Sequence, residues 1–380
     1  MIKIYWILMF LIFYTYFLYP VLLVIASVFF TKKISVDENY EPTVTLLICA
    51  YNEEKDIGRK LENSLLIDYP RDKLEILVVS DGSTDGTDRV VRGFDGRHIK
   101  LFRVEGRVGK TEAQNQAVSI AWGEIIVFSD ATTQYEPSAL RKIVRNFSDP
   151  SIGAVSGRYR YIDPKKTNVG KGSIAFWDYE NLIKTCQSRL CTITGCCGCI
   201  YSIRKRLYVR LPADIISDLV EPLKILEEGH RIVFEPDAIA YEFAFERTKE
   251  EFKMRIRVVS RGIRGLLYMR NLFNPLRFGI ISIQLFSHKV LRWLVPVWAL
   301  LLYIVNTDLL KTNMFFFITW ICQTIFYALA LLGFIFELRG KKIVYFSYPL
   351  YFCIVNGASI ISLIRIIRKR KDIQWETVRT

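Results

Sequence analysis

The sequence predicts an α/β domain on a largely parallel sheet, held between membrane-crossing segments. Three observations carry this. Apolar residues make up 51% of the 380 positions while charged residues still make up 24%, a mixture too apolar for an ordinary soluble enzyme and too charged for a pure transporter. The apolar excess lies at the two ends of the chain. Between them, short apolar runs alternate with helical patterns, the order that builds a parallel sheet with helices on its faces.

The first element is a nearly unbroken apolar stretch over 4–30, closed by Lys32 and Lys33. A bilayer needs ~20 such residues. The long aromatic core, ending in bulky Phe29 and Phe30, differs from a cleaved signal peptide. Residues 1–33 therefore read as an uncleaved N-terminal membrane anchor, and the lysine pair places the adjoining domain in the cytosol. A polar linker over 36–42 leads into that globular domain, which spans 36–270. Its strands are expected at 43–50, 74–80, 99–104 and 124–129, and its helices at 54–67, 86–93 and 110–121. The second half reads as less regular: a Gly/Cys-rich turn at 195–199, a helix at 218–228, short strands at 231–235 and 238–242, and a basic helix at 248–270.

Residues 275–287 form an amphipathic piece expected to lie in the membrane interface. A C-terminal membrane region over 288–370 comes next, with three apolar segments at 289–306, 313–336 and 343–367, then a basic and polar tail over 371–380. With the globular domain inside, three crossings leave the C-terminus outside. Yet the run from Arg365 to Lys371 is the most basic in the chain and belongs inside. One of the three segments is then re-entrant or interfacial. The last is the best candidate, because Pro349, Asn356 and Gly357 interrupt it.

A net charge of +14 suits nucleic acid, an anionic membrane surface or phosphorylated small molecules. The basic runs at 32–33, 341–342 and 368–371 flank apolar segments, which favours membrane lipids and gives nucleic acid no support. Five of the eight cysteines cluster at Cys186, Cys191, Cys196, Cys197 and Cys199. They lack the paired C-x-x-C spacing of structural zinc, so small thiols packing a core is the preferred reading. Many thiols also suit a reducing compartment.

In an open α/β sheet, ligands bind beyond the carboxyl ends of the strands. The first strand ends in Ala50, Tyr51, Asn52 and Glu53. Tyr51 can stack on or hydrogen-bond a planar base and Glu53 can accept from a ribose; a capped helix start accounts for Asn52 and Glu53 equally well. The second strand ends in Asp81, Gly82, Ser83, Thr84 and Asp85. Asp81 is placed to accept from base or ribose and Asp85 reads as a helix cap, although a plain turn uses the same residue types. The fourth ends in Asp130, Ala131 and Thr132. A strand-end carboxylate next but one to another oxygen suits a hard divalent cation that neutralises a diphosphate; an ordinary turn aspartate is the alternative. A P-loop around Gly109 and Lys110 fails on spacing, because its first glycine would fall at Val104.

Taken together, Ala50 to Glu53, Asp81 to Asp85, Gly109 with Lys110, and Asp130 to Thr132 resemble glycosyltransferase family 2, with its GT-A nucleotide-diphospho-sugar transferase fold, over about 43–265. The flanking spans are similar to those of membrane-embedded members related to cellulose and hyaluronan synthases. The resemblance implies an inverting hexosyltransferase that takes a nucleotide sugar, most often UDP-linked, to a polysaccharide or lipid-linked acceptor. It also implies cell-surface polysaccharide biosynthesis at the inner (plasma) membrane with the catalytic domain cytoplasmic, beside assembly or export partners. Ala50, Tyr51, Glu53 and Asp81 would bind the nucleoside. Lys110 would approach the phosphates or the sugar. Asp130 would hold Mg²⁺ or Mn²⁺ with the diphosphate, and Thr132 stands where the usual D-x-D has its second acid.

The segment from Gly195 to Arg204 resembles the family's small-residue turn beside the acceptor, with cysteine where Ala or Thr is common. Asp218 matches the general base of the family's E-D or D-D motif, with Ser217 in place of the preceding acid; a helix N-terminus also favours an aspartate there. Arg257 and Arg261 share a helix face, where two guanidinium groups can clamp a leaving diphosphate. Arg261 matches the arginine of Q-x-x-R-W, while Val258 and Gly262 stand where its Gln and Trp would be, so processive elongation is not implied. Arg255 and Arg264 equally suit a helix lying on anionic headgroups. The rival reading is a catalytically degenerate membrane scaffold of a polysaccharide assembly complex, for which Thr132 and Ser217 are the support.

Overall fold

A computed structural model describes residues 1–341 and 343–368; the tail expected at 371–380 and most of the basic run from 368 lie outside the described residues. The globular part is built on one eight-stranded sheet. Its strands are β1 (Val44–Ala50), β2 (Leu74–Ser80), β3 (Ile99–Arg103), β4 (Ile125–Asp130), β5 (Gln134–Tyr135), β6 (Ile152–Ile162), β7 (Ile200–Arg204) and β8 (Arg231–Phe243). The spatial order is β3-β2-β1-β4-β7-β6-β8-β5. The first four strands are mutually parallel, as their helical crossovers require. β7 then runs antiparallel between β4 and β6, so the sheet is mixed.

Successive side chains of a strand face opposite ways, and here both faces are covered. Leu46, Ile48, Ile76 and Val78 enter one core, and Leu47, Cys49, Leu77 and Val79 the other. Strands buried on both faces read as continuous apolar runs, which is why these were visible in sequence. The expected helices appear at Ile57–Leu65, Thr87–Arg92 and Lys110–Ile120, and later at Ser217–Glu227 and Thr248–Tyr268.

The stretch read as irregular holds three regular elements: β6, β7 and the 23-residue helix Asn168–Leu190. The two short strands expected at 231–235 and 238–242 are one strand, β8. Pro236 falls between the two expected strands, where a register shift against β6 after Gly157 and Glu235 absorbs it.

Among the described residues four helices are long and apolar enough to cross a membrane: Ile2–Phe29, Ile280–Leu309, Met314–Leu338 and Ser347–Ile367. In the first, Pro20 has no N–H to give the preceding turn. Tyr16 O, four residues earlier, accepts instead from Tyr179 Oη at 3.0 Å, which ties this helix to Asn168–Leu190. The piece expected as one interfacial helix over 275–287 is divided: a single turn, Pro275–Phe278, ends at Gly279, and a new helix runs on from Ile280. Pro349, Asn356 and Gly357 do not interrupt the last helix. Pro349 lies in its first turn, where a missing N–H costs nothing, and Asn356 bonds back to Phe352 O.

Candidate active site

β2, β1 and β4 are neighbours, so their carboxyl ends lie side by side. Beyond them opens a cavity of about 370 Å³. Glu53, Lys110, Asp130 and Thr132 line it from the strand-end side, and Asp218, Arg257 and Arg261 from the later elements. Seven of the ten residues singled out in sequence therefore meet in one space.

The other three lie beside that space. Ala50 ends β1, fully buried, and its carbonyl accepts from Asp81 N at 2.9 Å. The Asp81 carboxylate accepts from Val108 N at 2.8 Å and Gly109 N at 3.0 Å, fixing the loop that leads into Lys110. The Arg107 guanidinium lies over the Tyr51 ring, 4.0 Å from its centroid. Asn52 and Glu53 precede the first helix by several residues and are not its caps. They join two strand ends instead: Glu53 N donates to Thr87 Oγ1 at 2.8 Å and Thr84 N to Asn52 Oδ1 at 2.8 Å. Asp85 caps as expected, accepting from Thr87 N at 3.0 Å.

Lys110 opens a helix and its ammonium pairs with Asp130. Burial opposes the charge, but the Asp130 carboxylate raises the lysine above its ordinary range. Thr132 Oγ1 donates to Glu242 Oε1 at 2.8 Å, and both residues line the cavity with Asp130. Glu242, near the end of β8, is a lining carboxylate that sequence reading missed; its signal was an acid closing a long apolar run. Among the described residues no three Asp, Glu, His or Cys side chains gather as a metal cage. One carboxylate beside one neutral oxygen fits a hard cation that draws its remaining ligands from a diphosphate and water.

Asp218 lies in the first turn of Ser217–Glu227, and its carbonyl accepts from Cys196 N at 2.9 Å. That bond holds the Gly/Cys turn against it. A Cβ at position 198 would come within 2.8 Å of Asp218 Oδ2 and push that carboxylate aside, so glycine lets the turn close against it. Burial raises the Asp218 carboxyl above the ordinary range, with Asp130 adding to the shift and Lys110, Arg261 and Lys184 opposing it. Among the described residues its carboxylate accepts no hydrogen bond, and so has the capacity to take a proton from a bound hydroxyl. Cys196, Cys197 and Cys199 are free thiols in this turn and line the cavity floor.

Arg261 is buried, and its Nη2 donates to Thr111 Oγ1 at 3.0 Å and to Ile215 O at 2.6 Å. It therefore also anchors the loop entering Asp218. Its Nε is buried and unpartnered among the described residues, a donor left for an anion in the cavity. Burial and neighbouring Arg257 lower the guanidinium's pKa, yet it stays charged at neutral pH. Arg255 does not lie on headgroups: it is buried, bonded to Glu251 at 2.8 Å and to Tyr351 Oη at 2.6 Å. Gly262 has no room for a side chain, because a Cβ would meet Trp293 Cη2 at 2.9 Å. An indole does line the cavity beside Arg261, but it comes from Ile280–Leu309.

Known proteins resemble this chain in sequence and in fold. Residues 45–211 match the sequence profile of glycosyl transferase family 2. A poly-beta-1,6-N-acetyl-D-glucosamine synthase of Staphylococcus aureus is 28% identical over 315 residues, covering 78% of this chain and 74% of its own. The synthase of that name from Staphylococcus epidermidis is 23% identical over 369 residues, covering 90% of this chain and 88% of its own. A mannosyltransferase from Pyrobaculum calidifontis, solved with GDP-Man and Mn²⁺, shares the fold with a TM-score of 0.73 at 23% identity, over 97% of this chain and 99% of that one.

Proposed function

Because the chain is a glycosyltransferase with a family 2 domain on a GT-A fold, we propose that it is a membrane-bound inverting enzyme moving a sugar from a nucleotide-sugar donor to a polysaccharide or lipid-linked acceptor. The observation that carries this is one cavity shared by Lys110, Asp130, Asp218, Arg257 and Arg261. Asp218 takes the proton of the acceptor hydroxyl as that oxygen attacks the anomeric carbon. The bond to the diphosphate breaks on the opposite face, and the configuration inverts. Arg257, Arg261 and Lys110 stabilise the charge gathering on the departing diphosphate. Asp130 and Thr132 would hold Mg²⁺ or Mn²⁺, whose contribution is to neutralise that diphosphate. The nucleoside end lies toward Glu53 and Tyr51, beside the loop that the Asp81 carboxylate fixes.

The donor class is supported by the relatives: one is named for polymerising N-acetylglucosamine and one is solved with a nucleotide sugar. UDP is the first nucleotide to test, in cell-surface polysaccharide synthesis at the inner membrane. The catalytic domain faces the cytoplasm, on the side set by Lys32 and Lys33. The last helix, Ser347–Ile367, lies along the inner surface, giving three crossings and keeping the basic C-terminus inside.

The test uses the purified full-length protein in nanodiscs. Nucleotide sugars are screened by thermal shift with and without Mn²⁺, and transfer is followed with the donor that binds. Asp218→Asn should keep donor binding within twofold and lose transfer by about 10²–10⁴-fold. Unchanged turnover in this variant rejects Asp218 as the base.

A further inference from the structure

The lining of the same cavity holds a second charged region besides the strand-end residues. Lys184 and Glu180 come from helix Asn168–Leu190, and Lys289 and Arg292 from helix Ile280–Leu309. Three cations there face one carboxylate. Arg292 is ion-paired with Glu180, which also accepts from His288 Nε2 at 3.3 Å. Burial opposes the Glu180 charge, but Arg292 and His288 hold its carboxyl well below the usual range. Glu180 is thus ionised and already engaged. The charged neighbours of Lys289 are Glu180, Lys184, Arg292 and Asp218.

Lys184 is 4% exposed. Its ammonium lies over the rings of Trp177 and Phe234, 5.7 and 5.9 Å from their centroids. Among the described residues neither Lys184 nor Lys289 has a hydrogen-bond acceptor or a direct ion pair. Holding a buried ammonium such as that of Lys184 without an acceptor is costly. Lys289 beside it is half-buried, and an ionisable group within a membrane-length apolar helix, as Lys289 is, marks a site of function. Arg257, Arg261 and Lys110 already supply the donor with cations, and the charged neighbours of Lys289 include none of these three, so this separate group calls for a second anion. Val355 and Ser359 of Ser347–Ile367 and Trp293 of Ile280–Leu309 line the same end. Both helices are long and apolar enough to cross a membrane, so a lipid-carried molecule is the occupant this end suits.

We infer that Lys184, Lys289 and Arg292 form an anion subsite for the phosphate or diphosphate of a lipid-linked acceptor, and that the enzyme's acceptor is anchored by this headgroup rather than being a neutral glycan chain. This rests on the transferase reading above and narrows its acceptor. Phosphate suits the site because Lys and Arg donate charge-assisted hydrogen bonds to its several oxygens at once. Trp293 and Trp177, which line the cavity around the cluster, offer flat apolar faces to the sugar or lipid next to it.

The experiment uses the full-length protein in nanodiscs of neutral lipid. Binding of undecaprenyl phosphate is measured against undecaprenol, phosphatidic acid and inorganic phosphate at equal concentration, with UDP and GDP affinity recorded in parallel. Undecaprenyl phosphate should bind at least tenfold more tightly than the other three. Lys289→Met, and Lys184→Met with Lys289→Met, should each lose that preference while nucleotide affinity stays within twofold. Lys184→Arg with Lys289→Arg should retain it, which separates charge from folding. Equal binding of undecaprenol or phosphatidic acid, equal binding of inorganic phosphate, or a methionine variant that weakens nucleotide instead would each overturn the subsite. Donor binding that survives any of these outcomes leaves the transferase reading standing. A protein that binds no nucleotide at all removes that reading first.

Discussion

The Asp218 carboxyl is surrounded by opposing charges. Burial and Asp130 push its pKa up, and Lys110, Arg261 and Lys184 pull against them. The net direction is upward, so the protonated form persists to a higher pH than for an ordinary aspartate at about 3.9. A base works only when ionised. Activity should therefore rise with pH through that raised pKa and level off above it. Lys110 opposes the shift and also neutralises Asp130, so Lys110→Met should move the acidic limb of kcat/KM further up in pH. A limb that stays put or moves down would show that Asp218 is not the titrating group. Sequence found Asp218, Asp130 and Lys110 because each opens or closes an element, where polar residues stand out against apolar runs. It did not find Glu242, Glu180 or Lys184. These sit within a strand and a helix, and their approach to the cavity depends on elements far apart in the chain.

At the scale of elements, the basic helix Thr248–Tyr268 has two jobs. Arg257 and Arg261 face the cavity, while Glu251 and Arg255 are buried against the last helix, where Tyr351 Oη accepts from Arg255 and donates to Glu251 at 2.8 Å. Phe176 covers Arg255, with the guanidinium 4.3 Å from its centroid. Ser362 Oγ donates to Ile256 O at 3.1 Å on the same seam. Tyr351→Phe keeps the ring and leaves a buried donor and acceptor unmatched, at a cost of about 1–3 kcal/mol. It should lower the thermal midpoint of the protein in detergent and leave nucleotide binding unchanged. An unaltered midpoint would mean the network adds nothing. Sequence separated Arg257 and Arg261 from Arg255 and Arg264 but sent Arg255 to the headgroups, since a 3.6-residue period assigns faces and not what each face meets.

For the whole molecule, several ends converge on the catalytic domain. Lys32 N donates to Arg189 O at 2.8 Å, and Glu337 near the end of Met314–Leu338 accepts from Thr248 N at 2.8 Å. At the far end Tyr5 packs edge-on against Phe316, with centroids 4.9 Å apart. Helices Ile2–Phe29 and Met314–Leu338 thus run from the domain to a common distant end. The last helix instead tracks the domain's own helices, from Tyr351 beside Glu251 to Ser362 beside Ile256. A green fluorescent protein fused after Thr380 should therefore fluoresce, and alkaline phosphatase at the same place should be inactive. The reverse result would make Ser347–Ile367 a fourth crossing and put the C-terminus outside.

By itself the sequence determined the parallel half of the sheet, the strand-end motifs, the apolar segments and the family resemblance. Each of these is local: an apolar run, a turn composition or a fixed short spacing is set by neighbours in the chain. Only the tertiary structure decided which side chains share the cavity. It turned Asp81 toward the Val108 and Gly109 amides, brought Trp293 against Gly262, and brought Lys184 and Lys289 to the cavity that Asp218 lines. Those meetings join residues tens to hundreds of positions apart. They arise from close packing of whole elements, which no window along the chain contains.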